Sequence, residues 1–185
     1  MSDKEGNKVG DKKLNHSQIK VLAEIRNNSN VTKQELVKLC ELGKTSIDPS
    51  IAVAALGITP DFFNTDFKTL GFLFESLCIR DLKVYSSKMN GQISYYHDRY
   101  GLEVDCVLHL RDGRYALIEF KLGSGEIEEG SKHLCQIERL IKEYNNKEKQ
   151  NPLRLPDLKI VLTGSQYGYK RDDGVFVVPI GCLKD

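Results

Sequence analysis

Two consecutive strand-length segments constrain the fold most, because both are apolar and both carry acidic residues. Residues 102–110 read LEVDCVLHL and residues 115–122 read YALIEFKL, with the turn sequence Arg111-Asp112-Gly113 between them. This pattern predicts an antiparallel pair of strands. A carboxylate on a buried strand needs a hydrogen-bond donor, a counter-ion or a metal. The pair therefore predicts a specific acidic site supported by a sheet.

The charged residues of the two strands are expected to share faces, because side chains alternate along a strand. Glu103 and Asp105 fall together on the first strand, and Glu119 and Lys121 fall together on the second. The opposite face of the first strand is expected to be apolar, with Val104, Cys106, Leu108 and Leu110. The two acidic strand ends are therefore predicted to project together.

Such a cluster of oxygen ligands suits a hard divalent cation, Mg²⁺ or Mn²⁺. Asp105 and Glu119 would supply two carboxylates, and the backbone carbonyl of Phe120 a third oxygen. Lys121 would orient or activate a water molecule, or stabilise negative charge developing on a phosphate. Glu75 lies within the apolar helical sequence GFLFESL, and it is expected to face the same site, where it would support the metal or position a water molecule.

The remaining pattern predicts an α/β domain over residues 48–185, with a mixed sheet covered by helices on both faces. Its expected order is a helix, three strands, a helix and a further strand, followed by one short strand. The expected helices cover residues 48–56, 66–82 and 126–146, the first with Asp48 as N-cap and Gly57 as its stop. The other expected strands cover residues 92–98, 158–162 and 175–178, and residues 60–66 are expected to form a loop.

The N-terminal part has a different character. Residues 1–14 are charged and aperiodic, which predicts disorder, whereas residues 15–47 are expected to be helical. Thr32 and Glu35 have the spacing of a capping box. The segment resembles the start of a winged helix-turn-helix, which implies either a DNA-reading unit or a small helical cap on the main domain.

Composition limits the classes of protein to consider. The net charge is +1, so DNA binding would depend on a local basic patch and not on the overall charge. The five cysteines are scattered and form no C-x-x-C pair, which favours reduced thiols in a cytoplasmic protein. The sequence contains no apolar stretch long enough to predict a membrane span, and its polar, charged N-terminus is not expected to act as a signal peptide.

The spacing of Asp105 and Glu119-Phe120-Lys121 resembles the D…E-x-K signature of the PD-(D/E)XK nuclease-like superfamily. Glu75 matches an additional helical glutamate found in many members, and the order of elements matches their restriction-endonuclease-like αβββαβ core. The resemblance implies a magnesium-dependent nuclease acting on DNA, with Glu75, Asp105, Glu119 and Lys121 as site residues. Val104 stands where the signature has proline.

Longer blocks resemble an uncharacterised domain at the C-terminus of many bacterial and archaeal AAA-type ATP-binding proteins. They include LGFLFESLCIRDL, YYHDRYGLEVDCVLHL, YALIEFKLG and VLTGSQYGYKRDDGVFVVPIG. The sequence has no phosphate-binding motif of the form G-x-x-x-x-G-K-[ST], so an ATP-driven role would require an ATPase partner in trans. The alternative to a nuclease is a catalytically inactive module of the same fold that binds protein or DNA. The pattern leaves the oligomeric state open.

Several other residues have two interpretations. Glu103 is either an accessory ligand or a solvated strand end, and His97 and Arg99 either contact a phosphate or are ordinary surface. Gln136 is either a polar residue of the site or part of an exposed helix face. The residues expected to pack are Tyr95, Tyr96 and Tyr100, and those expected on a solvated helix face are Lys132, Arg139 and Lys142.

Overall fold

The computed structural model describes residues 48–57, 59–99 and 101–184. The expectations for residues 1–14 and 15–47, disorder and a helix-turn-helix, fall outside these described residues. The helices are α1 (Pro49–Leu56), α2 (Pro60–Phe63), α3 (Phe67–Ser86) and α4 (Ile127–Lys147). The strands are β1 (Gln92–His97), β2 (Glu103–His109), β3 (Tyr115–Lys121), β4 (Leu158–Thr163), β5 (Tyr169–Lys170) and β6 (Phe176–Pro179).

The strands form one mixed six-stranded sheet in the order β1-β2-β3-β4-β6-β5. The pairs β1–β2, β2–β3 and β5–β6 are antiparallel, whereas β3–β4 and β4–β6 are parallel. A parallel pair needs a long crossover, and α4 provides the one between β3 and β4. The α/β class and the mixed sheet predicted from the sequence are confirmed.

The sheet is covered on both faces by helices that bury apolar side chains. On one face, α4 contributes Ile127, Leu134 and Ile137 to a cluster with residues of β2, β3, β4 and β6. On the other face, α3 contributes Phe74, Cys78 and Leu82 to a second cluster. The expectation of a sheet covered on both sides is therefore confirmed. Such a sheet leaves few places for a charged side chain.

The first helix begins and ends as its sequence predicts. The Asp48 carboxylate accepts a hydrogen bond of 2.9 Å from the Ser50 N–H, and Pro49 occupies the first helical position. Gly57 ends the helix with φ of +60°, a left-handed conformation that favours glycine. Asp48 also pairs with Arg80 on α3 at 2.8 Å, which attaches the helix to the domain.

Three details of the local structure differ from the expectations. Residues 60–66 are not entirely a loop, because Pro60 starts the single helical turn of α2. The short strand β5 has no counterpart in the predicted elements, since two residues carry too little of an alternating pattern to be recognised. The tyrosines expected to pack, Tyr95 and Tyr96, are exposed because β1 is an edge strand, and Tyr100 lies outside the described residues.

The prediction that Val104 shares an apolar face with Cys106 and Leu108 is wrong. Val104 packs in the cluster beneath α4, whereas Cys106 and Leu108 pack on the α3 side. The reason is a β-bulge: Ser94 pairs with Val107 and Tyr96 with Val104, so two residues of β2 lie opposite one of β1. The bulge contains Asp105, so it alters the strand at the predicted site.

Polar contacts fix α4 to the sheet. The buried Ser131 hydroxyl donates to Asp173 Oδ2 at 2.6 Å, and Arg171 pairs with Glu128 at 2.7 Å. Three basic residues of α4 are exposed and form i,i+4 ion pairs with acidic residues of the same helix: Lys132, Arg139 and Lys142. The predicted solvated face of this helix is therefore confirmed.

The four cysteines within the described residues are free thiols. The described helices include none that is long and apolar enough to cross a bilayer.

Candidate functional site

The candidate site lies at the end of the sheet where β2 begins and β3 ends. The antiparallel pairing of these strands stops at Cys106 and Ile118. Beyond that point the Asp105 side chain accepts a 2.7 Å hydrogen bond from the Phe120 N–H. The Asp105 carboxylate therefore serves as the hydrogen-bond acceptor where a main-chain carbonyl would otherwise do so. The bulge in β2 turns this side chain towards the end of β3.

Glu119 is the buried member of the site, with 2% of its side chain exposed. One of its oxygens, Oε2, lies 3.4 Å from Lys121 Nζ and 3.7 Å from His133 Nδ1. The other, Oε1, is buried and has no hydrogen-bond partner in the described part of the chain. An unpaired buried polar group costs about 1–3 kcal/mol, so the position of this oxygen is unfavourable unless it gains a partner.

The electrostatics of the two carboxylates reflect their burial and proximity. Burial raises the pKa of Glu119 to about 8, and the charge of Asp105 adds to the rise while Lys121 opposes it. Burial also raises the pKa of Asp105, against the lowering effects of the Phe120 N–H and of Lys121. Both carboxyl groups are therefore destabilised as anions unless a further positive charge joins them.

Lys121 is the cation of the cluster. Burial acts to lower the pKa of Lys121, but Glu119 and Asp105 outweigh it and raise the pKa above the ordinary value of a lysine. Its stem packs against α4 at Gly130, where a Cβ atom would lie 3.2 Å from Lys121 Cε and 3.4 Å from Glu119 Cβ. The absence of a side chain at Gly130 thus lets the helix pass directly over both residues.

His133 is a member of the site that the sequence analysis missed. It lies on α4 three residues after Gly130, with its imidazole next to Glu119 and 34% of its side chain exposed. No motif spacing marks this residue, because the contact depends on how α4 crosses β3. The available signal was the early start of α4. Only five residues separate Lys121 from Ile127, the first residue of the helix, so the first turns of α4 must return over the end of β3.

Glu75 lies on α3, half-buried and next to the second apolar cluster. Burial raises the pKa of the neighbouring Cys78 thiol, and the charges of Asp81, Glu75 and Asp105 raise it further. The charges of Glu75 and Asp105 therefore both raise the pKa of the same thiol.

Within the described residues, no three histidine, cysteine, aspartate or glutamate side chains are grouped closely enough to hold a metal ion.

The family of the chain follows from a match over residues 70–183, more than half of its length, to a family model described as a domain of unknown function, DUF4143. The chain belongs to this family. The family match contains the whole site, from Glu75 to His133. No curated protein and no solved structure matches the chain.

Four further residues were considered as candidates from the sequence, and their positions relative to the site differ. Glu103 is exposed, and its charge acts on both Asp105 and Glu119. His97 pairs with Glu103 in the β1–β2 register, so it lies at the same end of the sheet. Gln136 is exposed on α4, one turn beyond His133. Arg99 is exposed in the turn after β1.

Proposed function

We propose that the site binds a divalent cation, Mg²⁺ or Mn²⁺, and that the protein is a metal-dependent nuclease-like domain that acts on or binds DNA. The observation that carries the proposal is the unpaired, buried Oε1 of Glu119 beside Asp105 and Lys121. A buried carboxylate with raised pKa and a specific charge partner is typical of functional sites.

The residues fit such a cation. Asp105 and Glu119 offer carboxylate oxygens, and the Phe120 carbonyl is a further candidate; these are the ligands that Mg²⁺ and Mn²⁺ prefer. A cation would give Glu119 Oε1 a partner and would offset the burial that raises the pKa of Glu119. When bound, it would polarise a phosphate and lower the pKa of a nearby water molecule.

The protein's own groups have distinct roles in this proposal. Lys121 has a raised pKa, so it enters the reaction as a cation and stabilises negative charge that develops on the phosphate. Asp105 is positioned by the Phe120 N–H. Glu75 lies on α3, which covers the other face of the sheet from α4, and in this proposal it would support the metal site or position a water molecule.

The architecture supports the finer assignment to a restriction-endonuclease-like core of the PD-(D/E)XK type. A helix precedes three consecutive strands, a second helix follows, and the next strand joins β3 in parallel. Asp105 and Glu119 lie on adjacent strands at the point where their pairing ends. The likeness to the C-terminal domains of AAA-type ATP-binding proteins adds the proposal of an ATPase partner in trans.

A second candidate is a catalytically inactive module of the same fold that binds a protein or DNA. The specific observation in its favour is that, within residues 48–184 as described, the carboxylates do not form a group of three close enough for a metal ion. The net charge of +1 also provides no general attraction for DNA.

The two candidates are separated by assaying the full-length protein on plasmid, linear duplex and single-stranded DNA, with Mn²⁺ or Mg²⁺ and with a chelator. We expect metal-dependent cleavage that falls about 100-fold or more in Lys121→Ala, which removes the charge-stabilising group. Lys132→Ala, an exposed neighbour on α4, is the matched control and should cleave normally. Cleavage that persists in both Lys121→Ala and Asp105→Asn would contradict the nuclease proposal.

A further inference from the structure

We propose that the DNA reaches the site as a single strand, along a ledge beside α4 where its bases stack on exposed tyrosines. The ledge is formed by one face of the edge strand β1 and by one flank of α4. Its residues are Ser94, Tyr96, His133, Gln136, Leu140 and Tyr144. The inference rests on the proposed function and deepens it, because it names single-stranded DNA as the substrate class.

The floor of the ledge is the face of β1 that points to the same side of the sheet as α4. Tyr96 pairs with Val104 of β2. Ser94 pairs with Val107 of the same strand, and both valines pack in the cluster beneath α4. Side chains directly opposite one another on paired strands share a face. In the described part of the chain that cluster takes no side chain from β1, so this face of β1 stays exposed beside the helix.

The wall of the ledge is the flank of α4 that points towards β2 and β1. Ser131 marks the other flank, because its hydroxyl donates to Asp173 just before β6. At about 3.6 residues per turn, the opposite flank lies roughly 180° around the helix. His133, Leu140 and Tyr144 are on that opposite flank, so they point away from β6 and towards the edge strand β1.

The ledge has room for a few nucleotides and ends at the site. Tyr144 and His133 are eleven positions apart on α4, which is about 16 Å along the helix axis, and stacked nucleotides follow one another at about 3.4 Å. His133 contacts the buried Glu119 carboxylate. Tyr96 lies near the end of β1, at the end of the sheet that carries Lys121. A DNA strand laid along the ledge would therefore bring a phosphate to the site.

The rings on the ledge are available for stacking. Tyr96 is 43% exposed and Tyr144 is 45% exposed, although tyrosine is a residue that normally buries most of its ring. An exposed aromatic ring can stack on a base of any sequence. Ser94 and Gln136 offer hydroxyl and amide groups that can form hydrogen bonds with base edges.

The chemistry of the ledge favours a single strand over a duplex or a peptide. The bases of a duplex are stacked on one another, and duplex binding depends largely on lysine and arginine at the phosphates. The six residues of the ledge include neither lysine nor arginine, and they include no carboxylate that would repel a DNA backbone. Leu140 is their only aliphatic member, which gives an apolar peptide little to bury.

The test measures the fluorescence anisotropy of a labelled single-stranded oligonucleotide of about 16 nucleotides with the full-length protein. A chelator is present, so neither cleavage nor cation binding enters the result. We expect Tyr96→Ala and Tyr144→Ala each to weaken binding about tenfold, and Tyr96→Phe to bind like wild type because the ring is kept. The matched control is Tyr169→Ala, since Tyr169 is 48% exposed on the opposite edge strand, and it should bind like wild type. The duplex of the same sequence should bind more weakly than the single strand.

The outcomes separate this inference from the function on which it rests. Wild-type affinity in both Tyr96→Ala and Tyr144→Ala would overturn it, as would a duplex that binds as tightly as the single strand. Wild type that binds no oligonucleotide would also overturn it and would indicate a protein segment as the occupant of the ledge. Metal-dependent cleavage of plasmid in that case would leave the nuclease proposal standing. Tyrosine-dependent binding of the single strand without any cleavage would support the ledge and refute catalysis.

Discussion

At the scale of single residues, Glu119 carries a carboxylate into a strand whose neighbouring side chains are buried and apolar. Leu117, Ile118 and Phe120 are all buried, and among the described residues the basic side chains within 4 Å of Glu119 approach its Oε2 atom and not Oε1. A glutamate in this position opposes folding as an anion. An apolar residue of similar volume would make a more stable strand, and the cation site proposed above would account for the glutamate.

This burial gives a measurable dependence of stability on pH. Glu119 has a pKa of about 8 in the folded protein against 4.5 for an ordinary glutamate, so between these values the folded state holds a proton that the unfolded state has lost. Stability from this group is therefore lost as pH rises from about 4.5 to 8. Glu119→Gln should remove that loss, worth on the order of a few kcal/mol.

Urea unfolding at pH 5, 6.5 and 8 with a chelator present measures this effect. The expected result is a smaller fall in the free energy of unfolding for Glu119→Gln than for wild type. Glu143→Gln, an exposed carboxylate on α4, serves as the control and should follow wild type. Equal falls for wild type and Glu119→Gln would show that the Glu119 carboxylate is not destabilised by burial.

Sequence reasoning brought Asp105, Glu119 and Lys121 together because alternation along strands is a local property. It missed His133, since that contact depends on the path of a helix over the sheet. It also placed Val104 on the wrong face, because a bulge adds one residue to the count and leaves no mark in the sequence. The strand positions of the charged residues were thus predictable from the sequence. The side chains that surround them were not.

At the scale of elements, the chain after β4 passes very close to the end of β3. A Cβ atom at Gly164 would lie 2.9 Å from the Leu122 carbonyl oxygen, closer than such atoms approach, and 3.4 Å from Leu122 Cδ1. Glycine at this position therefore allows the two parallel strands to end side by side next to Lys121. By contrast, a Cβ at Gly71 on α3 would meet no atom within 4 Å.

The two glycines make a matched pair of alanine substitutions. Gly164→Ala should destabilise the fold by about 1–3 kcal/mol, because the backbone of β3 must move. Gly71→Ala should stabilise it by about 0.5–1 kcal/mol, because alanine favours a helix and meets open space. Chemical denaturation of both variants measures this, and a stabilising Gly164→Ala would refute the close approach.

The longer elements were predictable because hydrophobic periodicity accumulates over many residues. The helix α4 was expected at 126–146 and is found at Ile127–Lys147, and β3 was expected at 115–122 and is found at Tyr115–Lys121. The one-turn helix α2 and the two-residue strand β5 have no such period. They depend on tertiary contacts that a single sequence does not display.

At the scale of the whole molecule, the described domain is a sheet with separate apolar clusters on its two faces, and the site lies at one end of that sheet. Residues from α4, β2 and β3 meet there, so several elements must be correctly packed before the site exists. The family match spans residues 70–183, which include every one of these groups. Function is therefore best tested on the intact chain.

Calorimetric titration of Mn²⁺ and Mg²⁺ into the wild-type chain and into Asp105→Asn tests most sharply whether the carboxylates bind a cation. Asparagine keeps an oxygen to accept the Phe120 N–H, so this variant removes the charge without removing the hydrogen bond. We expect saturable binding of about one ion to wild type and none to Asp105→Asn at millimolar concentration. Wild type that binds neither ion, or Asp105→Asn that binds as tightly as wild type, would contradict this expectation.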